Sequence, residues 1–178
     1  MKLIGLGGLP ASGKSTIFQE IIKTLGKNKI FKYSLLRGEF YEPNIYVFGT
    51  YDRKFGGTDT LSMAVQPIAV KFIQEMKDND VVLIFEGDRL FNRSFIQKIK
   101  DLELDYSFYM AIADPEIIEN RHKARGDTQS REWLQSRKTK YATIYSAYMK
   151  DITLLKNNNL EELKKNMEII WQDLKNIT

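Results

Sequence analysis

A chain of 178 residues is long enough to bury one well-formed core and short for two, which predicts a single domain over 1–178 carrying a lid or insertion. With 43% hydrophobic and 28% charged residues it has the composition of an ordinary folded protein and not of a disordered or fibrous one. Zero cysteines exclude disulfides, thiolate zinc sites and cysteine nucleophiles, and the formal net charge of +4 becomes informative only once it is localised.

No stretch approaches the roughly 18–20 uninterrupted apolar residues that cross a bilayer, and the single lysine and brief apolar run before Gly7-Gly8 do not make a signal peptide. A soluble, cytoplasmic protein with no membrane partner is the expectation. The chain shows no repeat, no low-complexity tract and no linker rich in Pro, Gly and Ser.

In chain order, Leu3–Leu6 reads as a buried strand, followed by glycines and a helix from Ser15 to about Leu25 with Ile17, Ile21, Ile22 and Leu25 on one face. Ile30–Leu35 and Ile45–Phe48 are weaker strands. Leu61, Val65, Ile68, Phe72 and Met76 recur at helical spacing, with Pro67 either in the first turn or at a kink. Val81–Phe85 is a continuous apolar run suited to a central parallel strand. Asn92–Leu102 should be helical and Tyr106–Ala113 a strand. Asp114-Pro115 predicts a helix start with a capping carboxylate and proline at its first position. That helix should run into a basic stretch, with a second helix over about Arg137–Met149 and a last strand at Ile152–Leu155. Asn159 and Glu162 form a capping-box pattern opening a terminal helix, with Leu160, Leu163, Met167, Ile170, Trp171 and Leu174 inward. Strand and helix alternate throughout, so the expected class is α/β with a mainly parallel sheet.

Gly8-Leu9-Pro10-Ala11-Ser12-Gly13-Lys14-Ser15 matches the phosphate-loop pattern G-x-x-x-x-G-K-[ST] in full, between a strand and a helix. The glycines let the backbone curl so that N–H groups meet phosphate oxygens, and the helix N-terminus adds partial positive charge. Gly8, Pro10, Ala11, Ser12, Gly13, Lys14, Ser15 and Thr16 are therefore the expected nucleotide cradle, with Lys14 reaching the β- and γ-phosphates and the Ser15 hydroxyl on magnesium. ATP and Mg²⁺ are the implied cofactors.

The strand Val81–Phe85 ends in Glu86-Gly87-Asp88-Arg89, which puts carboxylates at the sheet edge beside the phosphate loop. Glu86 or Asp88 would position the magnesium shell or take the acceptor proton, while solvated carboxylates with Arg89 paired to one of them are the plainer alternative.

Between Arg121 and Lys140 seven basic residues face only Asp127 and Glu132, a local excess of +5. Arg121, Arg125, Arg131 and Arg137 suit a lid over about 121–140, because arginine forks stabilise the charge spread over a phosphoryl group in transit. A solvated amphipathic helix explains Lys123 and Lys140 better than it explains the arginines. His122, the only histidine, reads as a bystander.

The segment Gly49–Thr60 crowds two carboxylates, two aromatics and three glycines after an apolar run and reads as a shaped loop. Aromatics stack on bases and carboxylates accept a hydroxyl proton, so Tyr51, Asp52, Asp59, Arg89, Arg131 and Arg137 are candidates for acceptor binding, with Asp52 and Asp59 also candidates for the general base.

Taken together, the phosphate loop, the strand ending at Glu86–Arg89 and the arginine-bearing segment resemble the nucleoside and nucleotide kinase branch of P-loop proteins over nearly the whole chain. That resemblance implies a three-layer α/β/α sandwich with a five-stranded, mainly parallel sheet, ATP, magnesium and a helical lid that closes. Within that branch, Gly49-Thr50-Tyr51-Asp52, the string Gly57-Thr58-Asp59-Thr60-Leu61-Ser62-Met63-Ala64-Val65-Gln66-Pro67 and the Arg121–Lys140 segment resemble phage-encoded kinases acting on 5-hydroxymethyluracil in DNA. The resemblance implies phosphorylation of the base hydroxymethyl group ahead of thymidine hypermodification. It supplies no catalytic residue; Lys14, Asp52, Glu86, Arg121 and Arg125 rest on the chemistry above. A kinase for free nucleosides or nucleotides shares every motif except the Gly57–Pro67 string, and a P-loop NTPase switch would have no need of arginines that exclude water.

Overall fold

The computed structural model describes residues 1–51 and 60–175, so the candidates Asp52 and Asp59 lie outside the described residues. Strand β1 (Lys2–Gly8) is buried along its whole length, because it runs between two parallel neighbours and is covered on both faces. It leads through the phosphate loop into α1 (Lys14–Thr24). There follow β2 (Asn28–Tyr33), β3 (Leu36–Tyr41), β4 (Ile45–Phe48), α2 (Val65–Met76), β5 (Val82–Glu86), α3 (Arg93–Asp101) and β6 (Asp105–Ile112). The chain continues through α4 (Pro115–Arg125), α5 (Arg131–Tyr148), β7 (Ile152–Lys156) and α6 (Leu160–Lys175).

The strands form one seven-stranded sheet in the order β2-β3-β4-β5-β1-β6-β7. The five from β4 to β7 are mutually parallel, as the resemblance implies, and β2 and β3 extend that set as an antiparallel hairpin. Ile30–Leu35 was expected as one strand; the chain instead turns at Ser34-Leu35, where Ser34 takes a φ of 55° and Tyr33 pairs with Leu36.

Alternation along the buried strands divides the core into two layers. Leu3, Leu83, Phe85, Phe108 and Met110 face α2, α3 and α5, while Ile4, Leu6, Val82, Ile84 and Tyr109 face α1 and α6. Helices on both faces of a parallel sheet make the three-layer sandwich. Pro67 sits in the first turn of α2, where its missing N–H costs nothing, so the helix is not kinked there. Asn92 caps α3 by accepting from Phe95 N at 3.0 Å.

Three local expectations change. Asp114 does not cap α4 with its side chain, because that carboxylate accepts from Asn158 Nδ2 at 2.7 Å, across the mouth of the β7–α6 loop. Helix α5 begins at Arg131, six residues earlier than its apolar spacing suggests, since Ser130 Oγ accepts from Trp133 N at 3.2 Å and starts it there. Asn159 does cap α6 by accepting from Glu162 N at 2.9 Å, but Leu160 is 75% exposed and Asn166 is buried in its place, donating to Lys156 O at 2.8 Å.

Candidate active site

The register of the central strands builds the site. Leu6 of β1 lies beside Glu86 of β5, so the phosphate loop leaves the sheet where β5 ends in its carboxylate. Gly8 has a φ of 145° and Gly13 a φ of 87°, and a Cβ at Gly8 would lie 2.5 Å from Ala111 O. Only glycine fits both positions. Gly13 also lacks a side-chain cap, and the first intrahelical bond is Ile17 N to Gly13 O at 3.0 Å, so the N–H groups of Lys14, Ser15 and Thr16 precede the helical ladder. Unpaired amides at a helix N-terminus are an anion site.

Across this cradle Ser15 Oγ donates to Glu86 Oε2 at 3.1 Å, and Glu86 is 2% exposed. A hydroxyl and a buried carboxylate side by side fit Mg²⁺, which takes one or two protein oxygens and fills its remaining positions with phosphate oxygens and water. Among the described residues no cluster of three or more acidic or histidine side chains offers a complete metal cage.

Asp88 has other partners. Its Oδ2 accepts from Arg137 Nη1 at 2.8 Å, its Oδ1 accepts from the Tyr141 hydroxyl and lies 3.5 Å from Lys140 Nζ, and its carbonyl accepts from Lys140 Nζ at 3.1 Å. Burial pushes the Asp88 carboxyl up, but the hydrogen bonds from Tyr141 and Arg137 and the charges of Lys140 and Arg137 outweigh it and hold it below its ordinary range. Both oxygens serve protein donors, so of the two carboxylates proposed for magnesium the structure favours Glu86 and makes Asp88 the tie between β5 and α5.

A cavity of about 590 Å³ opens over the loop, lined by Gly8, Pro10, Ala11, Lys14 and Ser15 on the cradle side. Glu86 to Arg89 line its floor, Thr60, Leu61 and Met63 one wall, and Arg125, Asp127, Gln129, Trp133 and Arg137 the wall from α4 and α5. Arg89, Arg125 and Arg137 thus line one cavity. Ser12 lies fully buried beneath the loop with Oγ unpartnered, and Thr16 is exposed outside the cavity lining.

Three arginine and tyrosine candidates are placed elsewhere. Arg121, expected over the phosphates, donates to the carbonyls of Ala11 at 3.2 Å, Asn157 at 2.9 Å and Asn158 at 3.4 Å, so its donors bind the loop from behind. Burial and the charge of Arg125 push its guanidinium down. Arg131 is exposed at the start of α5 and outside the cavity lining. Tyr51 packs its ring against Phe18 of α1 at 5.0 Å, donates its N–H to Glu39 Oε1 at 2.8 Å and its hydroxyl to Phe48 O at 3.3 Å. These bonds commit Tyr51 to the core side of the chain.

Several residues escaped the sequence reading. Glu39, 3% exposed, accepts from Asn28 Nδ2 at 2.8 Å and the Tyr41 hydroxyl at 2.6 Å in addition to Tyr51 N. Thr50 N donates to Thr60 Oγ1 at 3.1 Å, so residues 50 and 60 lie side by side. Asn157 Nδ2 donates to Ser12 O at 3.0 Å under the phosphate loop. Trp133 carries a readable signal, the stripe Trp133, Arg137, Tyr141, Ile144 and Tyr148 at helical spacing, which begins before the segment read as helical.

A three-layer sandwich with a phosphate loop and a hydroxyl–carboxylate pair at the end of the neighbouring strand defines a P-loop phosphotransferase. The chain belongs to the family described as P-loop Nucleotide Kinase3, whose model matches residues 1–178, and it is accordingly a kinase. Comparison with curated proteins by sequence finds no match. Among solved structures the chain is similar to a sugar kinase from Janibacter sp. HTCC2649, with 17% identity, a TM-score of 0.56 and 98% of this chain and 95% of that one covered. It is also similar to shikimate kinase from Aquifex aeolicus vf5, with 15% identity, a TM-score of 0.51 and 99% and 97% covered. At these identities the likeness concerns the fold. Among the described residues no helix is long and apolar enough to cross a membrane.

Proposed function

We propose that the chain transfers the γ-phosphoryl group of ATP to the hydroxymethyl group of 5-hydroxymethyluracil in DNA, as a step in thymidine hypermodification. The observation that carries this reading is the position of the described part of the string, Thr60–Pro67: its Thr60, Leu61 and Met63 line the cavity that contains Lys14, Ser15 and Glu86. Described residues of the string that sets the resemblance apart from other P-loop kinases therefore border the phosphate cradle.

Lys14 and the loop amides would hold the β- and γ-phosphates, and Ser15 with Glu86 would hold magnesium, which neutralises charge that builds on the phosphates. Arg125, with Arg89 and Arg137 beside it, supplies positive charge at the open side of the cavity. Asp52 and Asp59 remain the candidates for meeting the acceptor hydroxyl. A loose transition state asks little of a base, so positioning carries most of the rate. The 121–140 region acts as the lid, and its exposed Arg131 and Lys138 suit the backbone of a DNA strand whose target base has been extruded or is presented single-stranded.

A second reading, a kinase for free nucleosides or nucleotides, is favoured by the cavity volume of about 590 Å³, which suits a small-molecule acceptor. The test incubates the protein, ATP and Mg²⁺ with hydroxymethyluracil DNA, unmodified DNA and a panel of free nucleosides and nucleotides, followed by digestion and mass spectrometry. Phosphate on the modified base in DNA alone supports the first reading; phosphate on free acceptors alone replaces it with the second. Lys14→Ala serves as the control that abolishes either.

A further inference from the structure

We infer that Trp133, backed by Arg137, is the platform on which the planar ring of the acceptor stacks. This rests on the reading that the acceptor is a nucleobase.

The placement follows from the helix that carries it. On α5 the positions 133, 137, 141, 144 and 148 share one face. Tyr141, Ile144 and Tyr148 are buried against the sheet. Two turns before Tyr141 the same stripe has passed the carboxyl edge of the strands, so Trp133 meets the cavity and not the core. It is 38% exposed, although an indole is among the side chains with most to gain from burial.

Contacts fix which side of the cavity this is. Glu86 meets Ser15, Asp88 two residues on binds Arg137, and the Arg137 guanidinium lies 5.3 Å from the centre of the Trp133 ring. Trp133 is thereby linked to the strand end that carries the Ser15–Glu86 pair. Arg121 and Asn157, by contrast, hold the back of the loop at Ala11 and Ser12. The wall formed by Leu61 and Met63 lines the same cavity, and Met63 is almost wholly exposed, which leaves an apolar side chain available to a ring held by Trp133. The two hydrogen bonds that Asp88 accepts, from Arg137 and Tyr141, fix α5 and hence the orientation of the indole. Stacking is tolerant of ring identity, so this platform selects a base over a sugar or a polyol, while groups elsewhere select which base.

Trp133 and Trp171 are the only tryptophans, and Trp171 lies on α6 on the opposite face of the sheet. In a Trp171→Phe background, emission of Trp133 should therefore be quenched saturably by 5-hydroxymethyl-2′-deoxyuridine or by an oligonucleotide carrying it, and not by ribose 5-phosphate. Trp133→Ala should raise KM for the base-containing acceptor about tenfold or more, a change larger than any in KM for ATP, and Trp133→Phe should recover most of it. If the wild-type protein phosphorylates only acceptors without a base, the functional reading fails. If base-containing acceptors are phosphorylated but neither the quenching nor the KM effect is seen, the platform is overturned and the functional reading stands. Circular dichroism of both variants separates a folding defect from a lost contact. Should Trp133→Ala fail to fold, the quenching titration in the Trp171→Phe background decides alone.

Discussion

The Ser15 hydroxyl donates to Glu86 Oε2 at 3.1 Å, joining the first helical turn after the phosphate loop to the end of β5. On the proposed function the two groups would hold the Mg²⁺ of the nucleotide, and Glu86 is 2% exposed. Glu86→Gln keeps the shape and removes the charge. It should lower Mg²⁺ affinity or turnover about 10- to 100-fold, with the Mg²⁺ concentration for half-maximal rate moved upward. Initial rates across a Mg²⁺ series check this, and an unchanged profile would remove Glu86 from the metal site.

Asp88 predicts a pH dependence. Its folded carboxyl lies below the ordinary value, so the stability it contributes is complete above the ordinary carboxylate range near pH 4 and is lost as pH falls through the lower folded value. Asp88→Asn removes the charge facing Arg137 and Lys140 and should cost about 1–3 kcal/mol at pH 7. The deficit should begin to shrink below about pH 4, as Asp88 of the unfolded chain takes up a proton that the folded one still refuses, and should be gone once pH has fallen through the lower folded value. Urea midpoints of the two proteins at pH 7, 4 and 3 measure the difference, and a deficit constant with pH would show that shape and not charge is what Asp88 supplies.

How far the sequence discloses this molecule depends on whether the physics is local. The phosphate loop is legible because Gly8, Gly13 and Lys14 are required by a backbone curl spanning a few residues. The parallel core is legible because Val82–Phe85 and Leu3–Leu6 are apolar on both faces. The β2–β3 hairpin is not, because Gly38 and the carboxylate of Glu39 interrupt the apolar pattern of β3, and a glutamate in a strand reads as facing solvent. Arg121 was legible as a functional cation but not as a clamp, since its acceptors at Ala11 and Asn157 are separated from it by 110 and 36 residues. Tertiary hydrogen bonds of that range leave no mark in spacing.

Glu39 is the buried charge most exposed to test. It accepts from Asn28, Tyr41 and Tyr51, and burial together with Glu39 raises the Tyr41 hydroxyl far above its ordinary value, so Tyr41 remains a donor throughout the working range. Glu39→Ala leaves the Tyr41 hydroxyl and the Tyr51 N–H without that acceptor. The variant should lose about 2–4 kcal/mol of stability, read from denaturant unfolding. Because Tyr51, held by Glu39, directly precedes the acceptor candidate Asp52 in the chain, acceptor KM should rise more than KM for ATP. Equal effects on both would mean that Glu39 serves the core alone.

Gly13 tests the cradle from its other side. An added Cβ would lie 2.0 Å from Asn157 Nδ2, at a φ of 87° that a side chain rarely adopts. Gly13→Ala therefore carries two penalties, backbone strain of about 1–2 kcal/mol and a clash that must displace Asn157 from the Ser12 carbonyl. The displacement disturbs the floor under the loop, so nucleotide affinity should fall about tenfold or more, along with the melting temperature. The two penalties separate in Gly13→Ala/Asn157→Ala, where the clash is gone and the φ is unchanged. Thermal unfolding with and without ATP, with Asn157→Ala alone as the reference for the lost Ser12 bond, should show that Gly13→Ala costs less in that background than in the wild type. No cost of Gly13→Ala in the Asn157→Ala background would mean that the backbone at Gly13 carries no strain, and the same cost in both backgrounds would mean that the φ alone decides and the clash with Asn157 contributes nothing.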